Sequence, residues 1–152
     1  MSIDNTASLS TEVAARHHWM SVLARADEDG LEQHLKAVGR PDYRHLRAPE
    51  VGLAMVRGRT GGTGNPFNLG ETTLTRCVIE LATGTRGFGY VQGRSRRHAE
   101  LAAVFDALLQ DNAGLQTTVI EPLHNEWLAA RRAESCKAAA TRVNFMTMVR
   151  GE

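Results

Sequence analysis

The sequence predicts an α+β fold. Apolar residues recur with helical spacing near both ends of the chain, period-two alternation rich in β-formers fills the middle, and tight glycine turns separate the alternating runs. At 152 residues the chain is read as a single domain, 1–152, with the polar residues 1–9 frayed. That length buries a real core without staples.

The elements follow in order. Ser10 is placed to cap a first helix, with Glu12 in the turn where it complements the dipole. Trp19, Val22, Leu23 and Ala26 then share one helical face. A second helix is expected near Asp29, with Glu32 at capping-box spacing. Leu31, Leu35 and Val38 line its face, and Gly39 and Pro41 end it, closing an N-terminal αα-hairpin.

Val51, Leu53 and Met55 alternate with Gly52 and Ala54, the pattern of a strand running to Arg59. Thr73, Thr75, Cys77, Ile79 and Leu81 give a second strand, ended by the turn at 82–85. The third, RGFGYVQG, sets Phe88 and Tyr90 on one face and Gly87 and Gly89 on the other, where another backbone or a ligand comes close. The three make an antiparallel β-meander. Ser95 caps a helix whose stripe is Leu101, Val104, Phe105 and Leu108, ended by Asn112 and Gly114. Pro122 starts an alanine-rich last helix with Leu123 and Trp127 as its large anchors. A short, β-prone terminal strand, 143–151, completes the chain and needs something to pair with.

Composition narrows the function. The net charge of +1 supplies no field for nucleic acid or an acidic membrane, and 5% aromatic residues are too few for a base-stacking platform. No run approaches 18 apolar residues, and the N-terminus lacks a signal peptide's basic patch and apolar core. Cys77 and Cys136 are too few and too far apart for a disulfide framework or a zinc site. The expectation is a cytoplasmic protein with both thiols reduced and no nucleic-acid or membrane partner.

Two segments could hold an anion. The first is GRTGGTGNPFNLGETTLTR, 58–76, with Gly58, Gly61, Gly62 and Gly64 close together around Thr63. Gly58 and Gly64 are six apart, no lysine follows, and a strand rather than a helix comes next, so it is not a P-loop or a dinucleotide fingerprint. A plain β–β connection is the first reading. A backbone nest for an anion, flanked by Arg57, Arg59 and Arg76, is the second. The other segment is GRSRRHAE, 93–100. Arg94, Arg96, Arg97 and His98 start a helix there, opposing its dipole at a cost of about 0.3–1 kcal/mol each unless an anion or acidic partner offsets them. The alternative is an ordinary solvated helix end.

Catalytic patterns are lacking. His17 and His18 point to different faces, His34, His45 and His124 stand alone, and no metal-ligand spacing or nucleophile elbow occurs. Glu100 follows His98, and Glu126 follows His124, at the wrong spacing for cooperation.

Taken together, RHHWMSVLARA (16–26), GGTGNPFNLGETTLTR (61–76), GRSRRHAE with FDALL (93–109) and VNFMTMVRG (143–151) resemble the PhnG subunits of the bacterial carbon–phosphorus lyase core complex. The resemblance is collinear from about residue 16 to the C-terminus. It implies an accessory subunit in organic phosphonate catabolism, with partners of the I, H and J type and an L subunit for the transferase step. That step displaces adenine from ATP with a phosphonate, giving ribose 1-phosphonate 5-triphosphate. The complex would use ATP with Mg, this chain would bind no cofactor of its own, and the catalytic centre would lie in a partner. The motif positions carried over are Gly61, Gly62, Thr63, Gly64, Arg76, Arg94, His98, Glu100, Phe145, Thr147, Met148, Val149, Arg150 and Gly151. Asn144 and Met146 depart from the acidic and aromatic residues common in relatives. Arg59, the glycine loop, Arg76, Arg94, His98, Phe145 and Arg150 are therefore the anion- or interface-binding candidates, with no catalytic and no metal residue. The competing class is a free-standing phosphate or nucleotide-binding module.

Overall fold

A computed structural model describes residues 11–143. Residues 1–10, with the N-terminus expected to fray and Ser10, and residues 144–152, with Phe145, Arg150 and all of the terminal strand but Val143, lie outside the described residues. The order is α1 (Thr11–Leu23), α2 (Glu28–Val38), β1 (Tyr43–Arg59), β2 (Pro66–Leu81), β3 (Arg86–Gln92), α3 (Arg96–Asp111) and α4 (Glu121–Ala140). A 3-10 turn, Thr60–Gly62, joins the first two strands, and a π-helical stretch, Gln116–Ile120, runs straight into α4. The strands form the expected antiparallel meander in the order β1-β2-β3.

The sheet has one wet face and one dry face. On the dry face Thr75, Cys77, Ile79 and Leu81 of β2 are buried, as is Val91 of β3. α3 lies across them, contributing Leu101, Val104, Phe105 and Leu109. Gly87 and Gly89 explain how close it comes. A β-carbon on either would stand 1.9 Å from the Ala103 carbonyl oxygen or 2.0 Å from that of Ala99. The close neighbour expected at these glycines is therefore the α3 backbone.

Both N-terminal helices rest on α3. Trp19, Val22, Leu23 and Ala26 are all buried, as the spacing predicts. Leu31 and Leu35 are buried too, but Val38, the last residue of the helix, is exposed. Gly39 stops α2 with φ 97° and returns its N–H to the Leu35 carbonyl. The capping box is not formed. The helix begins at Glu28, Asp27 holds the cap position without a side-chain bond, and Glu32 turns instead to Arg97 and Arg40.

Asp106 ties the layers together. Its fully buried carboxyl accepts from Arg16 (3.2 and 2.8 Å), Trp19 Nε1 (2.9 Å) and the Phe88 backbone N–H (3.0 Å). Gln110 adds a bond to the Arg86 carbonyl, 2.8 Å. Side chains of α3 thus satisfy backbone groups of β3, the kind of cover that blunts a strand edge.

β1 starts at Tyr43, eight residues before the alternating run at 51. The segment RHLRAPE hides its strand character because register shifts fall between His45 and Arg47 and between Arg47 and Glu50. Beyond β3, which pairs with Leu74–Glu80 only, β1 and β2 continue as a two-stranded arm to the turn at 60–65.

Candidate functional site

The arm is the most unusual part of the molecule. Val51, Leu53 and Met55 continue the dry face of the sheet, since Val51 pairs with the buried Thr75. No described helix reaches that far, and Leu53 is 65% exposed and Met55 54%. Near the tip, Phe67 and Leu69 pack beside Gly58, and Leu69 is 67% exposed. A register shift falls beside Val56, next to Arg57. An exposed two-stranded ribbon bearing large apolar side chains is marginal in water without a partner.

The glycine loop is the turn of this arm. Gly61 and Gly62 take φ of 60° and 82°, which only glycine adopts without strain. The Gly64 N–H donates to the Thr60 carbonyl at 2.8 Å. Arg59 points back and donates to the Gly64 carbonyl at 3.2 Å. Arg57 and Arg59 stand opposite Asn68 and Pro66, but Arg76 does not flank the loop. It pairs across from Glu50, about 30 Å down the strand at ~3.3 Å per residue, and bonds to that carboxylate at 2.6 Å. The three-arginine cradle of the second reading is not formed, and the segment is the β–β connection of the first.

The start of α3 brings together acids rather than room for an anion. Ser95 caps the helix, its Oγ accepting from the His98 N–H at 3.1 Å, and donates to Glu28. Arg97 bonds to Glu32 at 2.7 Å and Glu100 at 2.8 Å. The acidic partners that offset the dipole penalty come from α2 and from the helix itself. A ring nitrogen of His98 contacts the Leu23 carbonyl at 2.8 Å, which pins α3 to the end of α1. Arg94 is exposed, with no hydrogen-bond or ion-pair partner among the described residues.

Sequence reasoning missed a polar cluster beside this helix. Glu100 accepts from Tyr43 Oη at 2.9 Å and contacts His45 Nε2 at 2.8 Å, so His45 does not stand alone. Burial pushes the Glu100 carboxyl up, but hydrogen bonds from Arg97 and Tyr43 and nearby positive charge outweigh it and hold it below its ordinary value. The Tyr43 hydroxyl is raised by burial and by Glu100. His124 is also not alone. It lies against His18 and Trp127, and Arg25 and Arg131 cover the Trp127 ring. The signal missed was long-range, since Tyr43 and His45 look unremarkable until β1 is laid beside α3.

The remaining groups are quiet. No cluster of metal-binding side chains occurs among the described residues. Cys77 is buried and its thiol faces the Arg47 carbonyl. Burial, with Glu100 nearby, pushes the thiol up to about 11. α4 holds to the body through Leu123 and Trp127, and from residue 129 onward each of its side chains is exposed. No described helix is long and apolar enough to cross a membrane.

A family model described as "Phosphonate metabolism protein PhnG" matches residues 14–151. A curated relative from Rhizobium meliloti (strain 1021) is 46% identical over 146 residues, covering 92% of this chain and 92% of its own. Its name is alpha-D-ribose 1-methylphosphonate 5-triphosphate synthase subunit PhnG.

Proposed function

Because the chain belongs to the PhnG family of phosphonate metabolism proteins, we propose that it is a non-catalytic subunit of an alpha-D-ribose 1-methylphosphonate 5-triphosphate synthase. In this reading it supports displacement of adenine from ATP by a phosphonate, while partner subunits of the I, H and L type bind ATP with Mg and carry the chemistry. An assembly with a J-type subunit, in the cytoplasm, belongs to the same reading.

The observation that carries it is the arm. Val51, Leu53, Met55, Phe67 and Leu69 are exposed on a ribbon with no described helix behind it, an arrangement suited to insertion between partner surfaces. The exposed, alanine-rich part of α4 is a second surface open to close packing. The loop fits the same reading, since Arg59 is turned onto the loop's own Gly64 carbonyl and Arg76 is held away at Glu50.

The test is a reconstituted complex assayed for adenine release from ATP and methylphosphonate, with and without this chain. Release is expected only when the chain is present, and the chain alone should release none. Full release without the chain would overturn the proposal. So would millimolar ATP binding by the isolated chain that is lost on Arg94→Ala, which fits a free-standing nucleotide binder.

A further inference from the structure

The wet face of the sheet is built for contact. Its rows run across all three strands. Arg44, Glu80 and Arg86 form one, and Glu50, Arg76 and Tyr90 another, with Arg47, Val78 and Phe88 between them. Each glutamate is shared by two arginines. Glu80 bonds to Arg44 and to Arg86 (3.4 Å), and Glu50 to Arg76 (2.6 Å) and Arg47 (3.4 Å). Four arginines thus face two glutamates, and Tyr90 stands exposed beside them.

This composition is not that of a merely soluble face. Arginine and aromatic residues are enriched at protein interfaces, and lysine is depleted. The face has four arginines around Val78, Phe88 and Tyr90. Each glutamate already accepts from two arginines, while the guanidinium groups keep N–H donors free for further acceptors.

Resting on the subunit reading above, we propose that this face docks an acidic surface of a partner subunit of the synthase. The excess of two positive charges selects carboxylates. The layout selects a protein rather than a compact polyphosphate. Glu80 and Glu50 each ion-pair with both arginines of their group, so every guanidinium group of the four already has a carboxylate beside it. Glu80 and Arg76 stand about 13 Å apart along β2, with Arg47 in the row between them. Spaced carboxylates on a flat protein face match that pattern, and clustered phosphate oxygens do not.

The experiment uses the tagged full chain purified from phosphate-starved native cells, with partners identified by mass spectrometry. Wild type should bring down identified synthase subunits, less well as salt rises. The Arg44→Gln/Arg86→Gln and Arg47→Gln/Arg76→Gln pairs, with native melting curves, should recover at least tenfold less partner at low salt. In the intact complex, Arg76→Lys should form a zero-length carbodiimide cross-link to an aspartate or glutamate of a partner. Inorganic triphosphate should not displace the partner. Undiminished recovery by both variant pairs, cross-links to Glu50 alone, or displacement by triphosphate would overturn the inference while leaving the subunit reading intact. If wild type itself recovers no synthase subunit, the subunit reading fails, and this inference with it.

Discussion

Gly89 and Ala99 are in backbone contact, and a β-carbon on the glycine would stand 2.0 Å from the Ala99 carbonyl oxygen. A helix backbone cannot yield there as a flexible side chain would. Gly89→Ala must therefore lift α3 off the sheet, at the upper end of overpacking costs, about 3 kcal/mol or more. Gly52, with nothing within 4 Å of its β position, provides the control. Thermal melts should show Gly89→Ala strongly destabilised and Gly52→Ala close to wild type. Equal melting points would refute this account of the α3–β3 contact.

Asp106 should be the costliest polar residue to remove. Asp106→Ala leaves the Trp19 indole N–H and the Phe88 amide without acceptors. At about 1–3 kcal/mol for each unsatisfied buried donor, the loss is on the order of 3 kcal/mol. Removing the Arg44–Glu80 pair at the sheet surface instead should cost much less, because solvent screens such a pair. Denaturant unfolding of the two variants side by side checks the ranking.

Acid stability should depend on Glu100. Its carboxyl is held below the ordinary 4.5, because hydrogen bonds from Arg97 and Tyr43 outweigh the opposing effect of burial. A group lowered in the folded state contributes stability that is fully present above 4.5. The contribution is lost as pH falls through the lower folded value. Melting temperature should therefore drop below about pH 4.5, and Glu100→Gln should flatten that part of the curve while lowering the plateau above it. An unchanged acid limb in Glu100→Gln would contradict the assignment.

The two thiols should separate cleanly. Cys77 is fully buried with its thiol pushed up to about 11, whereas Cys136 is exposed on α4. Reaction follows the thiolate and its access. A chromogenic disulfide reagent should therefore titrate one thiol in the native chain and the second only after unfolding. Two fast thiols would place Cys77 outside the core.

What could be read from the sequence was what depends on local spacing. The Trp19–Ala26 stripe, the paired glycines of β3 and the Ser95 cap each follow from residues a turn or a pleat apart. The start of β1 was hidden because its register slips twice, which breaks the period-two alternation. The partners of Arg76 and Arg97 were hidden for another reason. Both guanidinium groups are claimed by carboxylates 26 and 65 residues away, on elements whose pairing no local pattern encodes. The π-helical entry to α4 likewise leaves no periodic signature.

The central claim is that the arm is an assembly surface. It is tested most directly by purifying the chain with its co-expressed partner subunits and measuring assembly mass by size exclusion with light scattering. Leu53→Ser/Met55→Ser touches neither the core nor the polar cluster. The account predicts that wild type enters a stoichiometric complex, while this variant stays folded and elutes apart from the partners. A variant that assembles as fully as wild type would contradict it.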